Sequence, residues 1–395
     1  MINFRRVIIR LFALLVVVLV VDPGDLIFHM KMPIFMLIWA TWLILRTDSS
    51  AYGRRDLILV SVSFLAISIY GILVAVLQNN FVNDEFAFGF IKSISIFSLI
   101  FIIYDMRIDV FSIVSKWALI ICGITLPIYI VITFFPALLL PIYNYVIAKD
   151  VAKIGYRAFY GVEIVMIYYR TSPLLVFSLC FFLDKYLQHK KIKFISIAGI
   201  VFFTLFLTGT RANILMALII AAFYFYRIYS KHFFAKIIYI LGLLYAAVTF
   251  FSQLNFDVKD ESSDVKGDHF NSYLELFDKN PNYLIHGQGL GSEFYSRGSA
   301  KMLPQTELTY LDLLRTFGFP VTILFLVLLL YPIMYLFKNG YWRIYSSAIV
   351  AYLAYLFIAG TNPLLISSTG MIAVLVAYSF LKSKKNENFG MHGDL

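Results

Sequence analysis

The sequence predicts an all-α polytopic integral membrane protein, with about twelve transmembrane helices and one large outward-facing loop containing short helices. Three observations predict it. Hydrophobic residues make up 61% of the 395 and charged residues 14%, against roughly 25% charged in a soluble domain, and the mean hydropathy is +0.82. Apolar windows close to the roughly 17–25 residues that a helix needs to cross a bilayer recur along the chain. Lysine and arginine collect in alternate connections between those windows.

The windows fall at about 7–21, 33–46, 57–78, 88–104, 110–134, 171–187, 194–210, 212–227, 235–252, 318–337, 343–360 and 363–381. The opening MINFRRVIIRLFALLVVVLVVDPGD has the basic start and apolar core of a signal peptide but no small-x-small cleavage site, so it reads as a retained first helix. Arg5, Arg6, Arg46, Arg54, Arg55, Arg107, Lys185, Lys190, Lys191, Lys193, Arg227, Lys231, Lys236, Lys338, Arg343, Lys382, Lys384 and Lys385 mark the cytoplasmic connections, and both termini fall on that side. DPGD (22–25), NNFVNDE (79–85) and GTNP (360–363) face out. The chain then divides into helices one to five (1–134), a first long periplasmic loop (135–170), helices six to nine (171–252), a large periplasmic loop (253–317), helices ten to twelve (318–381) and a cytoplasmic tail (382–395). The net charge of +10 serves topology, and nucleic acid is not an expected partner. Cys122 and Cys180 lie in spans, with no disulfide framework, CxxC or zinc pattern.

The first long loop opens with FPALLLPIYNYV, apolar and proline-punctuated, which predicts a segment lying in the interface or re-entering. In the large loop, DVKDESSDVKGD is charged. HFNSYLELFDKNPNYLIHGQGLGSEFY has helical spacing followed by Asn-Pro and glycine punctuation, which predicts one or two short helices across the outer face. A site on that face lies away from nucleotides. Group transfer there must draw on an activated donor carried by the membrane, such as a lipid diphosphate.

Arg211 sits in LTGTRANILM, between two of the most apolar runs. The turn Thr208-Gly209-Thr210 puts it at the start of a helix with Thr210 as N-cap, where free N–H groups and a guanidinium make an anion seat. The alternative is an arginine snorkelling to lipid phosphates. Arg157 and Arg170 flank the end of the first long loop, and Arg297 and Lys301 lie in the second; each is either a substrate contact or a solvated loop charge. HGQGLGS lacks the preceding strand and Walker lysine of a nucleotide loop, so Gly287, Gly289 and Gly291 form a turn that lets backbone approach something closely. Glu307 enters the tenth span, either complementing a helix dipole or acting as a general base. His269 and His286 are the loop histidines, and no metal-ligand spacing is present.

Together these pieces resemble the O-antigen polymerase and O-antigen ligase families of bacterial envelope assembly. The carrying residues are, in order, Thr208-Gly209-Thr210-Arg211, then Asn280-Pro281 with Gly287-Gln288-Gly289-Leu290-Gly291, then Glu307, Tyr310-Leu311, Leu313-Leu314 and Gly318. The motifs are short and cover mainly residues 200–320. The resemblance implies a GT-C-like, metal-independent glycosyltransferase of the bacterial inner membrane, using no cofactor. Its donor would be an oligosaccharide on undecaprenyl diphosphate, its surroundings membrane lipid, and a chain-length regulator protein its possible partner. It implies that Arg211, with Arg157, Arg170 or Arg297 and the glycine turn, binds the diphosphate or glycan, and that Glu307 or His269 accepts the proton of the attacking hydroxyl. Ligases of this type carry a histidine where this chain has Thr306-Glu307, which favours the polymerase; an R-x10-G pattern found in some polymerases is not seen from Arg157 or Arg297. The rival of another class is a transporter of lipid-linked oligosaccharide, for which pseudo-repeats and intramembrane charges would be expected.

Overall fold

A computed structural model describes residues 4–45, 55–159, 162–229, scattered positions in 234–245, and 261–381; the side chains of 157–164 and 261–264 are outside that description. The ninth expected span (235–252), the basic segment with Arg46 and Arg54, and the tail 382–395 therefore lie outside the described residues or nearly so.

The chain is mostly helical. Its helices are α1 (Phe4–Val21), α2 (Lys31–Leu45), α3 (Arg55–Leu77), α4 (Asp84–Ser95), α5 (Ile100–Met106), α6 (Val110–Trp117), α7 (Leu119–Phe134), α8 (Leu139–Ala148), α9 (Leu175–His189), α10 (Ile192–Leu207) and α11 (Arg211–Tyr229). After these come α12 (Glu261–Lys279), α13 (Asn282–His286), α14 (Thr309–Lys338), α15 (Ser346–Gly360) and α16 (Ser368–Tyr378). Among the described residues, five helical stretches are long and apolar enough to cross a membrane: Arg55–Leu77, Asp84–Met106, Val110–Phe134, Arg211–Ile228 and Thr309–Lys338. Shorter apolar helices accompany them, among them α10, exposed along one face, α15, and α16, buried from Thr369 to Tyr378.

The core is built around α9 and α16. Leu175–Leu183 and Thr369–Tyr378 are buried at every position, as a helix apolar on all sides must be. Their rings tie the bundle together: Phe177 meets Tyr355 at 5.8 Å, and Tyr378 meets Phe97 at 4.9 Å. Hydroxyls in this apolar interior find backbone carbonyls instead of water: Tyr224 donates to Cys180 O, Tyr352 to Leu329 O, and Ser115 and Ser178 bond each other's helices.

The two sets of connections separate to opposite ends. At one end Arg5 donates to the carbonyls of Met106 and Arg107, Tyr104 to that of Leu381, and Arg227 pairs with Asp184 at 2.8 Å. Tyr345 on Phe380 and Ser347 on Arg227 join those groups into one basic end. The other end holds the turn after α1, where the Asp22 carboxylate accepts from the amides of Leu26, Ile27 and Phe28. Burial pushes this carboxyl up, but the three amides and Lys31 outweigh it and hold the pKa below the ordinary value.

Two features depart from the expected all-helical connections. Residues 136–148 do form a short 3-10 turn and α8, mostly exposed. The chain then turns into a β-hairpin, β1 (Ala152–Phe159) paired antiparallel with β2 (Val162–Tyr169). One face carries Ala152, Ile154, Ile167 and Tyr169; the other carries Lys153, Gly155, Met166 and Tyr168. The second departure is α14, which begins nine residues before the expected tenth span. Gly318, at φ 72°, kinks it, and Thr322 Oγ1 donates across the kink to the carbonyl of Leu313 at 3.0 Å. The large loop does contain helices, α12 and α13, followed by a small hairpin, β3 (Phe294–Ser296) and β4 (Lys301–Leu303).

Candidate functional site

The hairpin end gathers most of the residues singled out in the sequence. α10 stops at Leu207, Gly209 turns at φ 62°, and α11 starts at Arg211. A Cβ on Gly209 would overlap the thioether of Met166, so only glycine lets β2 lie against this turn. Thr210 occupies the N-cap position, its carbonyl accepting from Ile214 N. Asn213 donates to Thr208 Oγ1 at 3.0 Å and to Ser172 Oγ at 3.2 Å. That last bond links the Arg211 turn to the end of β2, two residues beyond Arg170. Arg211 is half-buried at the N-terminus of a 19-residue helix, where backbone N–H groups add to its own positive charge. Arg170 pairs with Asp150 at 2.5 Å across the base of the hairpin. Arg157 lies on β1 opposite Ile164, and its side chain is among those not described.

Glu307 joins three elements. Its carboxylate lies 3.7 Å from Lys153 on β1 and 3.5 Å from Lys266 on α12, two residues before α14 begins. His269, nearly one turn along α12 from Lys266, is buried at 3% exposure with Nδ1 on Ser296 Oγ at 2.5 Å. Gly298 makes room for it, since a Cβ there would press on the imidazole. Burial pushes the His269 pKa below its ordinary value, with the Glu307 and Asp268 carboxylates pulling back and Lys266 assisting. Glu307 and His269, separated by 38 residues in sequence, thus act within each other's field.

Behind Glu307 lies a buried polar network that no sequence motif marked. Asp312 accepts from Tyr273 Oη at 2.5 Å and from Thr306 N at 2.8 Å, and lies 3.7 Å from Arg315. Arg315, at 1% exposure, donates to Gln288 Oε1, Ser292 Oγ and the Pro304 carbonyl, with its guanidinium 4.8 Å above Phe294. Two opposite charges at i, i+3 in the apolar run YLDLLRTFGF were the available signal: charges placed so need each other.

The glycine turn is part of this scaffold. Its close approach is made to protein backbone. Gln288 N, Gly289 N and Leu290 N donate to the carbonyls of Arg315, Thr316 and Gly71. Added Cβ atoms would overlap Thr316 at Gly287, Ala75 at Gly289 and Phe81 at Gly291. The amides of Gln288, Gly289 and Leu290 are therefore already engaged. Gly289→Ala, at φ 95°, is expected to cost about 2–4 kcal/mol through strain and overlap. Gly123→Ala, whose Cβ would meet nothing, should be neutral or stabilising. Melting temperatures of the two purified variants check this, and equal values would refute the packing role.

Arg297 is exposed and paired with Glu275 on the outer side of α12; His286 is exposed at the end of α13, its carbonyl accepting from Tyr70. Among the described residues no cluster of three or more His, Cys, Asp or Glu is placed to hold a metal ion. On the apolar face of the β1–β2 hairpin is a cavity of about 480 Å³, lined by Ile124 and Ile128 of α7, Ile142 and Tyr145 of α8, and Ile167 and Tyr169 of β2. The end of the bundle thus offers the Arg211 turn against Met166 of β2, Arg170 paired with Asp150 at the strand's end, Glu307 and His269, and an apolar slot behind the hairpin. No family model, curated protein or solved structure matches this chain.

Proposed function

We propose that this chain is a bacterial inner-membrane glycosyltransferase of the O-antigen polymerase type. In this reading it has twelve spans in a GT-C-like arrangement and a periplasmic site at the hairpin end. The observation that carries the reading is the convergence on β2: Met166 meets the Arg211 turn, Tyr168 lies in the field of Glu307, and Arg170 follows at the strand's end. The charge separation supports the side, since the basic end is the cytoplasmic one under the positive-inside rule.

The donor is a glycan on undecaprenyl diphosphate, and the acceptor is the terminal sugar of a lipid-linked repeat unit. The acceptor hydroxyl oxygen attacks the anomeric carbon, and the bond from that carbon to the diphosphate oxygen breaks. The diphosphate leaves with the bonding pair, and Arg211, assisted by Arg170, stabilises the charge as it develops. The hydroxyl proton passes to His269 Nε2 or to the Glu307 carboxylate. The base role requires the tautomer in which Nδ1 donates to Ser296 Oγ, which leaves Nε2 as an acceptor. Burial keeps the imidazole neutral to lower pH than a free histidine. The sugar–diphosphate bond supplies the energy. The lipid chain lies in the apolar cavity behind the hairpin.

The ligase remains a second reading for one reason: His269 beside Glu307 supplies in space the histidine that the motif at 306–307 lacks in sequence. Purified protein in liposomes, given lipid-linked repeat units without ATP or an ion gradient, separates the readings. Longer lipid-linked chains support the polymerase. Transfer only onto lipid A-core supports the ligase. Movement of substrate across the bilayer without bond formation supports a transporter and ends the enzymatic reading. Glu307→Gln is expected to insert normally and to lower turnover about a hundredfold. If His269 is the base, the acid limb of the remaining activity lies below pH ~6.5, because its pKa is depressed and the neutral form is required. A limb above that value would remove His269 from the role.

A further inference from the structure

Among the described residues the Tyr168 hydroxyl is buried and has no hydrogen-bond partner. Buried hydroxyls are nearly always paired, because leaving one unmet costs about 1–3 kcal/mol. The ring itself is partly exposed, so only the hydroxyl end is sealed. Two more unpaired polar atoms belong to elements at this end of the bundle. These are Tyr355 Oη on α15 and Asn213 Oδ1, whose own amide donates to Ser172 Oγ. The neighbourhood is polar by composition and incompletely satisfied.

Tyr168 stands beside a weakly held ion pair. Lys153 stands directly opposite it in the hairpin register and reaches Glu307 at 3.7 Å, with the lysine side chain 72% exposed. An ion pair that exposed contributes little and is cheaply displaced. Burial raises the Tyr168 pKa above its ordinary value, the Glu307 carboxylate raises it further, and Arg170 opposes. The group therefore stays a neutral O–H donor throughout the range in which the protein works.

We infer that Tyr168 is a substrate-binding residue whose hydroxyl donates a hydrogen bond to an oxygen of the acceptor sugar beside Glu307. This rests on the glycosyltransferase reading above. A sugar oxygen fits better than a phosphate oxygen because the Glu307 carboxylate disfavours a second anion here, while the proposed function puts the diphosphate at Arg211. The ligand thereby pairs a hydroxyl that the protein alone leaves unpaired.

Tyr168→Phe separates this from a structural role, because it removes only the unpaired group. Wild type and variant full-length chains are purified in detergent. Melting temperatures are taken alone and with lipid-linked repeat unit isolated from a strain lacking this chain. Alone, Tyr168→Phe is expected to melt at or above wild type. With the lipid-linked glycan, its binding is expected to be about tenfold weaker, the equivalent of one hydrogen bond to a buried partner. An equal shift in both proteins overturns the assignment and leaves the functional reading standing. A lower melting temperature without ligand also overturns it, since the hydroxyl would then be a structural group. No shift even in wild type sinks the glycosyltransferase reading, and this assignment with it.

Discussion

Arg211→Lys is expected to lower transfer about a hundredfold at unchanged membrane abundance, nearly as much as Arg211→Ala. In the proposed function a diphosphate leaving group is gripped by the planar, two-pronged guanidinium, and an ammonium at the same place is a point charge on a flexible four-carbon stem. A charge-assisted contact that strengthens in the transition state is worth about 3 kcal/mol, hence the factor. The site is rigid enough for the difference to matter. Gly209 allows Met166 to press on the turn, and Asn213 ties the first turn of α11 to Ser172 and Thr208. The measurement is product chain length at matched protein level. Near-normal polymer from Arg211→Lys would reduce Arg211 to an anchor for lipid headgroups, a role either cation fills.

The second large effect is expected at Arg315. Arg315→Met leaves the Asp312 carboxylate buried with Tyr273 and Thr306 but without its counter-charge, and strips Gln288, Ser292 and the Pro304 carbonyl of their donor. Breaking one side of a buried pair costs about 3–5 kcal/mol, whereas removing both charges costs far less. Arg315→Met should therefore lower the melting temperature and open residues 287–306 to protease. The double variant Asp312→Asn with Arg315→Met should recover much of the loss. If the double variant is as unstable as the sum of its parts, the two charges are not coupled. Transfer should fall with Arg315→Met in parallel with protease sensitivity, because Thr306, held by Asp312, precedes Glu307 directly.

Much of the helical framework was legible because a bilayer-crossing helix is a local pattern. The expected windows at 57–78 and 110–134 match Arg55–Leu77 and Val110–Phe134 within a few residues. The turn before Arg211 was legible too, since Gly and Thr between two apolar runs permit little else. The β1–β2 hairpin was not. In β1 apolar Ala152, Ile154 and Tyr156 alternate with Lys153, Gly155 and Arg157, but β2 (VEIVMIYY) is apolar on both faces apart from Glu163, so the period-two alternation that marks a half-buried strand is faint there. The start of α14 was only partly legible: the spacing from Glu307 to Arg315 is helical, but Asp312 and Arg315 interrupt the apolar run and put the expected span at 318, although both are buried.

The candidate site divides in the same way. Sequence by itself determined which residue types stand near helix ends: Arg211 after Gly209, Glu307 before a long apolar helix, and two histidines in the large loop. Those placements rest on local hydropathy and turn chemistry, which act over a few residues. Only the tertiary structure decided that His269 and not His286 comes beside Glu307, that Arg297 turns to Glu275, that the glycine turn packs on α3 and α14, and that Tyr168 ends without a partner. Each of those outcomes depends on how segments 22 to more than 200 residues apart dock against one another. Docking is set by the fit of buried surfaces and the pairing of buried polar groups, and no local pattern encodes it.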